Sequence, residues 1–232
     1  MLDALELTGR SRGHVVELAL PRCTLHRDVV LPFLALRGAA LADGIDLVPA
    51  SSFRDFERQR SIWNAKFRGE RPMLDRAGCA LDGQGLCADA RIEAILWWSA
   101  LPGASRHHWG TDLDVYDRAA LPAGTALQLV PAEYAAGGPF ERLSGWLRDN
   151  MQRYGFFQPY ARDRGGVSPE PWHLSFAPLA LEFAAALTPA LLAEALVAGG
   201  VEGEAEILAA IPGIHARYVR DVDSPGQPAA WA

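Results

Sequence analysis

Two short clusters constrain this chain more than anything else in it: Ser105-Arg106-His107-His108-Trp109-Gly110-Thr111-Asp112-Leu113-Asp114 and, well downstream, Glu170-Pro171-Trp172-His173. Between them they carry the imidazoles of His107 and His173, the carboxylate of Asp114, and a further acid, Glu170. If the clusters act together, the fold has to bring them to one place. Catalytic zinc typically takes three nitrogen or oxygen ligands and leaves a fourth position open. His107, Asp114 and His173 match that inventory for one Zn2+ per chain. Glu170 is then the candidate to take a proton from an attacking water and hand it to the leaving group. Two neutral imidazoles and one carboxylate leave such a centre net positive, which suits it to activating water and polarising a carbonyl.

Spacing supports the grouping. His107 and Asp114 are an odd number of positions apart and would face opposite ways on one continuous strand; Gly110 allows a turn, so a loop can deliver the histidine and a strand the aspartate. Pro169 and Pro171 flank Glu170, exclude an ordinary helix, and place the acid on a bend before a strand that begins near His173. Asp112 and Asp117 compete with Asp114 as ligands, the more ordinary role of either being support or solvation. His108 reads as a structural residue, and Trp97, Trp98 and Trp109 as packing or, alternatively, a binding platform.

The chain has 232 residues, half of them hydrophobic, enough for one sizeable core with a small appended element. A net charge of −6 and the lack of a Lys/Arg block argue against nucleic acid. Residues 1–22 lack the pattern of a secretory signal and no stretch is apolar enough for a membrane span, so a cytoplasmic location is expected, with periplasm or cell envelope as the alternative. Cys23, Cys79 and Cys87 are an odd count and read as reduced thiols, although Cys79 and Cys87 bracket a Gly-rich loop and could pair. Oligomeric state is not legible.

Leu25 to Leu41 has helical spacing, Ile45 to Pro49 reads as a strand, and Ser51 and Ser52 are expected to cap a helix over about 54–67. A loop over 70–85 leads to a helix near 88–98. Thr111 to Asp117 alternates as a half-buried strand presenting Asp114, Phe140 to Tyr154 is helical and stopped by Gly155, and His173 to Phe176 is a strand. Composition shifts to Ala, Leu and Glu after Pro178. The expected organisation is a catalytic domain over 1–178, a helical hairpin over 179–220 packed on it, and a loose tail over 221–232.

The first cluster resembles the Ser-x-His-x-x-Gly-x-Ala-x-Asp signature of the zinc D-alanyl-D-alanine carboxypeptidases and dipeptidases of the VanY/VanX type (LAS-type metallopeptidases), and the second resembles their Glu-x-Trp-His. Ser105, His107, Gly110, Asp114, Glu170, Trp172 and His173 all match, and Ser51-Ser52-Phe53-Arg54-Asp55 with Gln59 is similar to that family's Ser-Gly-Tyr-Arg-Ser segment and following Gln. The resemblance, over about 25–176, implies an α+β fold whose small antiparallel sheet carries the site, zinc on His107, Asp114 and His173, and Glu170 as general base and acid. It implies that Arg54 stabilises an oxyanion or grips a substrate carboxylate, and that Ser105 and Gln59 help bind substrate. The substrate implied is a peptidoglycan-type stem peptide losing a C-terminal D-amino acid. L,D-carboxypeptidase, D,D-dipeptidase, cell-wall endopeptidase and a non-catalytic zinc or cell-wall-binding module are the alternatives. Asp112 stands where the family usually has Ala, and Asp55 replaces a small Ser; added negative charge beside the metal would bear on substrate identity.

Overall fold

The alternation of Leu113 and Val115 with Asp112 and Asp114 decides how the central strand sits. The leucine and valine go fully into the core, and the two acids face the other way. In the computed structural model, which describes residues 2–83, 85–197 and 199–226, the strands are β1 (Val15–Leu18), β2 (Cys23–His26), β3 (Leu47–Ser51), β4 (Met73–Leu74), β5 (Ala80–Leu81), β6 (Asp112–Asp117), β7 (Phe156–Phe157) and β8 (His173–Phe176). The helices are α1 (Ala4–Leu7), α2 (Val30–Ala42), α3 (Phe56–Phe67), α4 (Ala88–Leu96), α5 (Pro131–Tyr134), α6 (Glu141–Asn150), α7 (Ala177–Ala186), α8 (Pro189–Val197) and α9 (Glu204–Ile214). A four-stranded antiparallel sheet in the order β3-β6-β8-β7 forms the centre, with β1-β2 and β4-β5 as separate two-stranded ribbons. The α+β class with a small antiparallel sheet and C-terminal helices is what the sequence led us to expect.

Two packed clusters of side chains hold this together. One lies against the sheet and includes Phe33, Leu36, Leu47, Leu113, Val115, Phe140 and Leu174; the other gathers Phe56, Trp63, Ile95, Trp109, Phe183, Leu192 and Ile207. Leu179 at the start of α7 packs against both. Each fully buried side chain of this size contributes roughly 1.5–3 kcal/mol, so the C-terminal helices share a core with α3, α4 and the turn before β6.

Three local expectations are corrected. The stretch from Leu25 begins as strand β2, paired with β1 in the register Val15 to His26, and turns helical only at Val30. Helical spacing alone could not reveal that pairing. Helix α3 is capped by Asp55, whose Oδ1 accepts from the Arg58 amide at 2.8 Å; Ser52 instead accepts from the Thr24 amide at 3.0 Å. The start of the tail is tied down: Asp223 is buried and its Oδ1 accepts from Arg162 Nε and Nη2 at 2.8 and 2.6 Å, while Asp221 pairs with Arg164. Residues 227–232 of that tail lie outside the described residues. Cys23, Cys79 and Cys87 are all free thiols. No single described helix is long and apolar enough to cross a membrane.

Candidate metal centre and its cleft

The pairing of β6 with β8 sets Asp114 directly opposite His173 and Asp112 opposite Ser175. Cross-strand partners on one face of an antiparallel pair bring their Cβ atoms to about 4.5–5.5 Å. The second cluster therefore reaches the first through strand register. His107 comes from the tight turn Arg106–Trp109, which ends at Gly110 in the left-handed region (φ 67°). A Cβ on Gly110 would lie 2.6 Å from the His26 amide nitrogen, so only glycine lets the turn close against β2.

Three ligand atoms, one each from His107, Asp114 and His173, lie within 4.8 Å of one another, and all three residues are buried. His107 Nε2 is 3.3 Å from Asp114 Oδ2, and His173 Nδ1 is 3.2 Å from both Asp114 Oδ1 and Glu170 Oε2. Asp114 Oδ1 is buried with no hydrogen-bond partner, a costly state that a bound cation relieves. Burial by itself would raise the Asp114 carboxyl, but the two imidazoles outweigh it and hold the group well below the usual carboxylate range. The donor set, two imidazoles and one carboxylate, fits a transition-metal ion with an open coordination position.

Asp112 is not a competing ligand. It is fully buried and turned away from the cleft: its Oδ2 accepts from Arg106 Nε at 2.7 Å and from His173 Nε2 at 2.9 Å, and its Oδ1 accepts from Thr111 Oγ1 at 2.6 Å and Ser175 Oγ at 3.0 Å. Arg106 neutralises the extra charge, and the bond to Nε2 leaves His173 Nδ1 facing Asp114 and Glu170. A carboxylate behind a metal-binding histidine sets both its tautomer and its ring orientation. Asp117 is likewise excluded, since its Oδ1 accepts from the amides of Asp46 and Ala119, each at 3.0 Å.

Glu170 stands on the bend before β8, its amide donating to Tyr160 O at 3.0 Å and its carbonyl accepting from the His173 amide at 3.1 Å. Arg54 is part-buried and held at several points. Its Nη1 donates to Gln59 Oε1 at 2.7 Å and its Nη2 to Ser51 Oγ at 3.1 Å, while its amide donates to His107 O at 3.1 Å. The neutral His108, its pKa pushed down to about 3 by burial, donates from Nδ1 to Arg54 O at 2.5 Å and accepts from the Gly103 amide at 3.1 Å. This structural histidine locks the loop of one cluster to the segment that carries Arg54.

A cleft of about 240 Å³ opens over these groups; Arg54, Ser105, His107, Asp114, Glu170 and His173 all line it. Gln59, expected to touch substrate, is fully buried and does not line the cleft; its Oε1 accepts from Arg54 and its Nε2 donates to Ala100 O at 2.6 Å. Of the three tryptophans, Trp98 lines the cleft; Trp109 is in the core, donating from Nε1 to Leu7 O at 3.1 Å. Sequence reasoning missed Tyr160, whose ring meets His173 at 5.0 Å between centroids, and Lys66. For Tyr160 no signal was present. For Lys66 there was one: it is the only lysine among 22 basic residues.

Residues 22–179, well over half of the chain, match the family model for VanY, D-alanyl-D-alanine carboxypeptidase. An uncharacterized protein of Haemophilus influenzae is 50% identical over 98 residues, covering 41% of this chain and 67% of that one. A D-alanyl-D-alanine carboxypeptidase of Enterococcus faecalis is 30% identical over 152 residues, 63% of this chain and just under half (46%) of that protein. The solved structure of VanYB in complex with D-alanine-D-alanine superposes with a TM-score of 0.51 at 25% identity, covering 79% of this chain and 88% of that one. With the ligand triad, the acid beside it and the cleft all falling inside the matched span, this chain belongs to the VanY D-alanyl-D-alanine carboxypeptidase family.

Proposed function

We propose that the chain is a zinc-dependent carboxypeptidase that removes the C-terminal D-alanine from peptidoglycan-type stem peptides. The observation that carries this is the convergence, in one cleft, of the His107, Asp114 and His173 ligand atoms with the Glu170 carboxylate beside His173 and a guanidinium on Arg54 held by Gln59. Zinc, held by His107, Asp114 and His173, supplies Lewis acidity toward water and the scissile carbonyl. Glu170 takes the proton from the attacking water as the new C–O bond forms, and delivers it to the nitrogen as the C–N bond breaks. Arg54, held at Gln59 and Ser51, donates to the oxygen on which negative charge develops. Its rigidity matters because donors already in place need no reorganisation during the reaction. Ser105, buried at the rim of the His107 turn, offers a hydroxyl to the substrate backbone.

The test is metal content followed by mass spectrometry of defined muropeptides, with and without chelator. Wild-type protein is expected to bind one zinc and release a single D-alanine. Glu170→Gln is expected to keep the zinc and lose turnover by about 10²–10⁴-fold. Loss of two residues or of an internal fragment would reassign the chain as a dipeptidase or endopeptidase. A zinc-loaded protein that leaves every muropeptide intact would make it a binding module.

A further inference from the structure

Twenty-one of the 22 basic residues are arginine, and the single lysine lines the cleft beside the site. Lys66 lies in the last turn of α3, the helix that follows Arg54. Its Nζ donates to Ser99 Oγ at 2.7 Å. An ammonium has three donors, so two remain beyond the bond to Ser99. Among the described residues no carboxylate lies within ion-pair distance of it. A half-buried cation with no protein counter-ion is destabilising unless something else supplies the negative charge.

The charges around the cleft indicate what that is. A divalent ion held by the ligand triad would be balanced by Asp114 and Glu170, and Arg106 is neutralised by Asp112. Arg54 and Lys66 are left over as two positive charges. Arg54 lies in the field of both the ligand Asp114 and Glu170, whereas of these two acids Lys66 feels Glu170 alone; Arg71 acts on both cations. A substrate with a free C-terminus brings one full negative charge and develops a second at the carbonyl under attack. We infer that Lys66 is the residue that holds the substrate's terminal carboxylate, leaving Arg54 for the developing oxyanion and making the enzyme an exopeptidase. This assignment rests on the peptidase reading above and adds to it the residue that selects a free chain end.

Burial pushes the Lys66 ammonium down to about 8, against the pull of Glu170, with Arg71 and Arg54 adding to the shift. The grip on a carboxylate therefore weakens as pH rises through that value.

The experiment compares a stem-type peptide ending in D-alanyl-D-alanine with the same peptide as its C-terminal amide, for zinc-loaded wild type, Lys66→Met and Lys66→Arg. Wild type is expected to prefer the free acid by at least 100-fold in kcat/KM. Lys66→Met is expected to raise KM for the acid at least tenfold, to leave the slow reaction of the amide unchanged, and to keep zinc content and Tm. Lys66→Arg is expected to restore part of the preference. In wild type, KM for the acid alone is expected to rise above about pH 8, and this rise is expected to vanish in Lys66→Met. If wild type discriminates and Lys66→Met discriminates equally, the assignment of Lys66 is overturned while the carboxypeptidase reading stands. If wild type cleaves acid and amide alike, or neither, the carboxypeptidase reading fails and the role of Lys66 fails with it.

Discussion

At the scale of single residues, Asp112 shows how a buried charge beside the ligands is answered by a neighbour. An aspartate two positions from a metal ligand reads from the sequence as a source of unwanted negative charge. In the fold its charge is met by Arg106 and its Oδ2 accepts from the far nitrogen of His173. Asp112→Asn, which keeps the shape and removes the charge, is expected to weaken zinc binding by about 10–100-fold, read by competition with a chelator. Unchanged affinity would mean that packing against Tyr160 alone orients the ring. His108 gives a prediction of a different kind. The folded protein holds it neutral down to about pH 3, while the unfolded chain protonates it near 6.5, so the unfolded state binds more protons between those values. Stability is therefore lost as pH falls below about 6.5, by up to about 1.4 kcal/mol per pH unit from this group. Urea midpoints at pH 6.5 and 5 should fall more steeply for wild type than for His108→Gln.

At the scale of elements, a turn and a helix cap position the chemistry. Gly110 sits where a side chain would strike the backbone of β2, so Gly110→Ala combines left-handed strain with a clash. It is expected to cost about 2 kcal/mol or more in chemical denaturation and to lower zinc affinity together with stability. A stable Gly110→Ala variant with normal zinc affinity would show that the turn has another way to close. Asp55 departs from the small serine of the family pattern, and its place explains the choice: it caps α3, the helix bearing Gln59 and Lys66. Asp55→Ala is expected to cost about 1 kcal/mol in urea denaturation. Read from the sequence, the cap falls on Ser51 and Ser52 and the helix starts near residue 54. Excluding the two serines needed the positions of β2 and β3, because Ser51 and Ser52 are already engaged by Arg54 and Thr24.

At the scale of the whole molecule, the C-terminal helices are part of the core. Phe183 of α7 meets Trp109 at 5.8 Å between ring centroids, Trp63 Nε1 donates to Glu202 O at 3.0 Å, and Arg60 reaches Gly199 O at 2.8 Å. A chain ended after Phe176 exposes Phe56, Trp63 and Trp109 and is expected to lose its cooperative thermal transition in circular dichroism. A sharp melt from that truncation would show that the sheet and α2–α6 fold alone.

The ligand inventory, the strand that presents Asp114, the bend that carries Glu170 and the turn at Gly110 were all legible in the linear order of residues, because each follows from local stereochemistry: alternation along a strand, the fixed φ of proline, the freedom of glycine. The shift in pattern after residue 178 likewise marked the C-terminal helices, while the fold class was implied by the family resemblance of the motifs. What the sequence left open was which side chains meet across long separations. The register that sets His173 opposite Asp114, the return of Asp112 to the back of His173, the burial of Gln59 away from the cleft and the arrival of Lys66 at the cleft depend on strand pairing and helix packing between segments tens of residues apart. No periodicity within one segment encodes such contacts, since they are set by the burial of faces against one another. The two clusters named the chemistry, and the β6–β8 register made them one site.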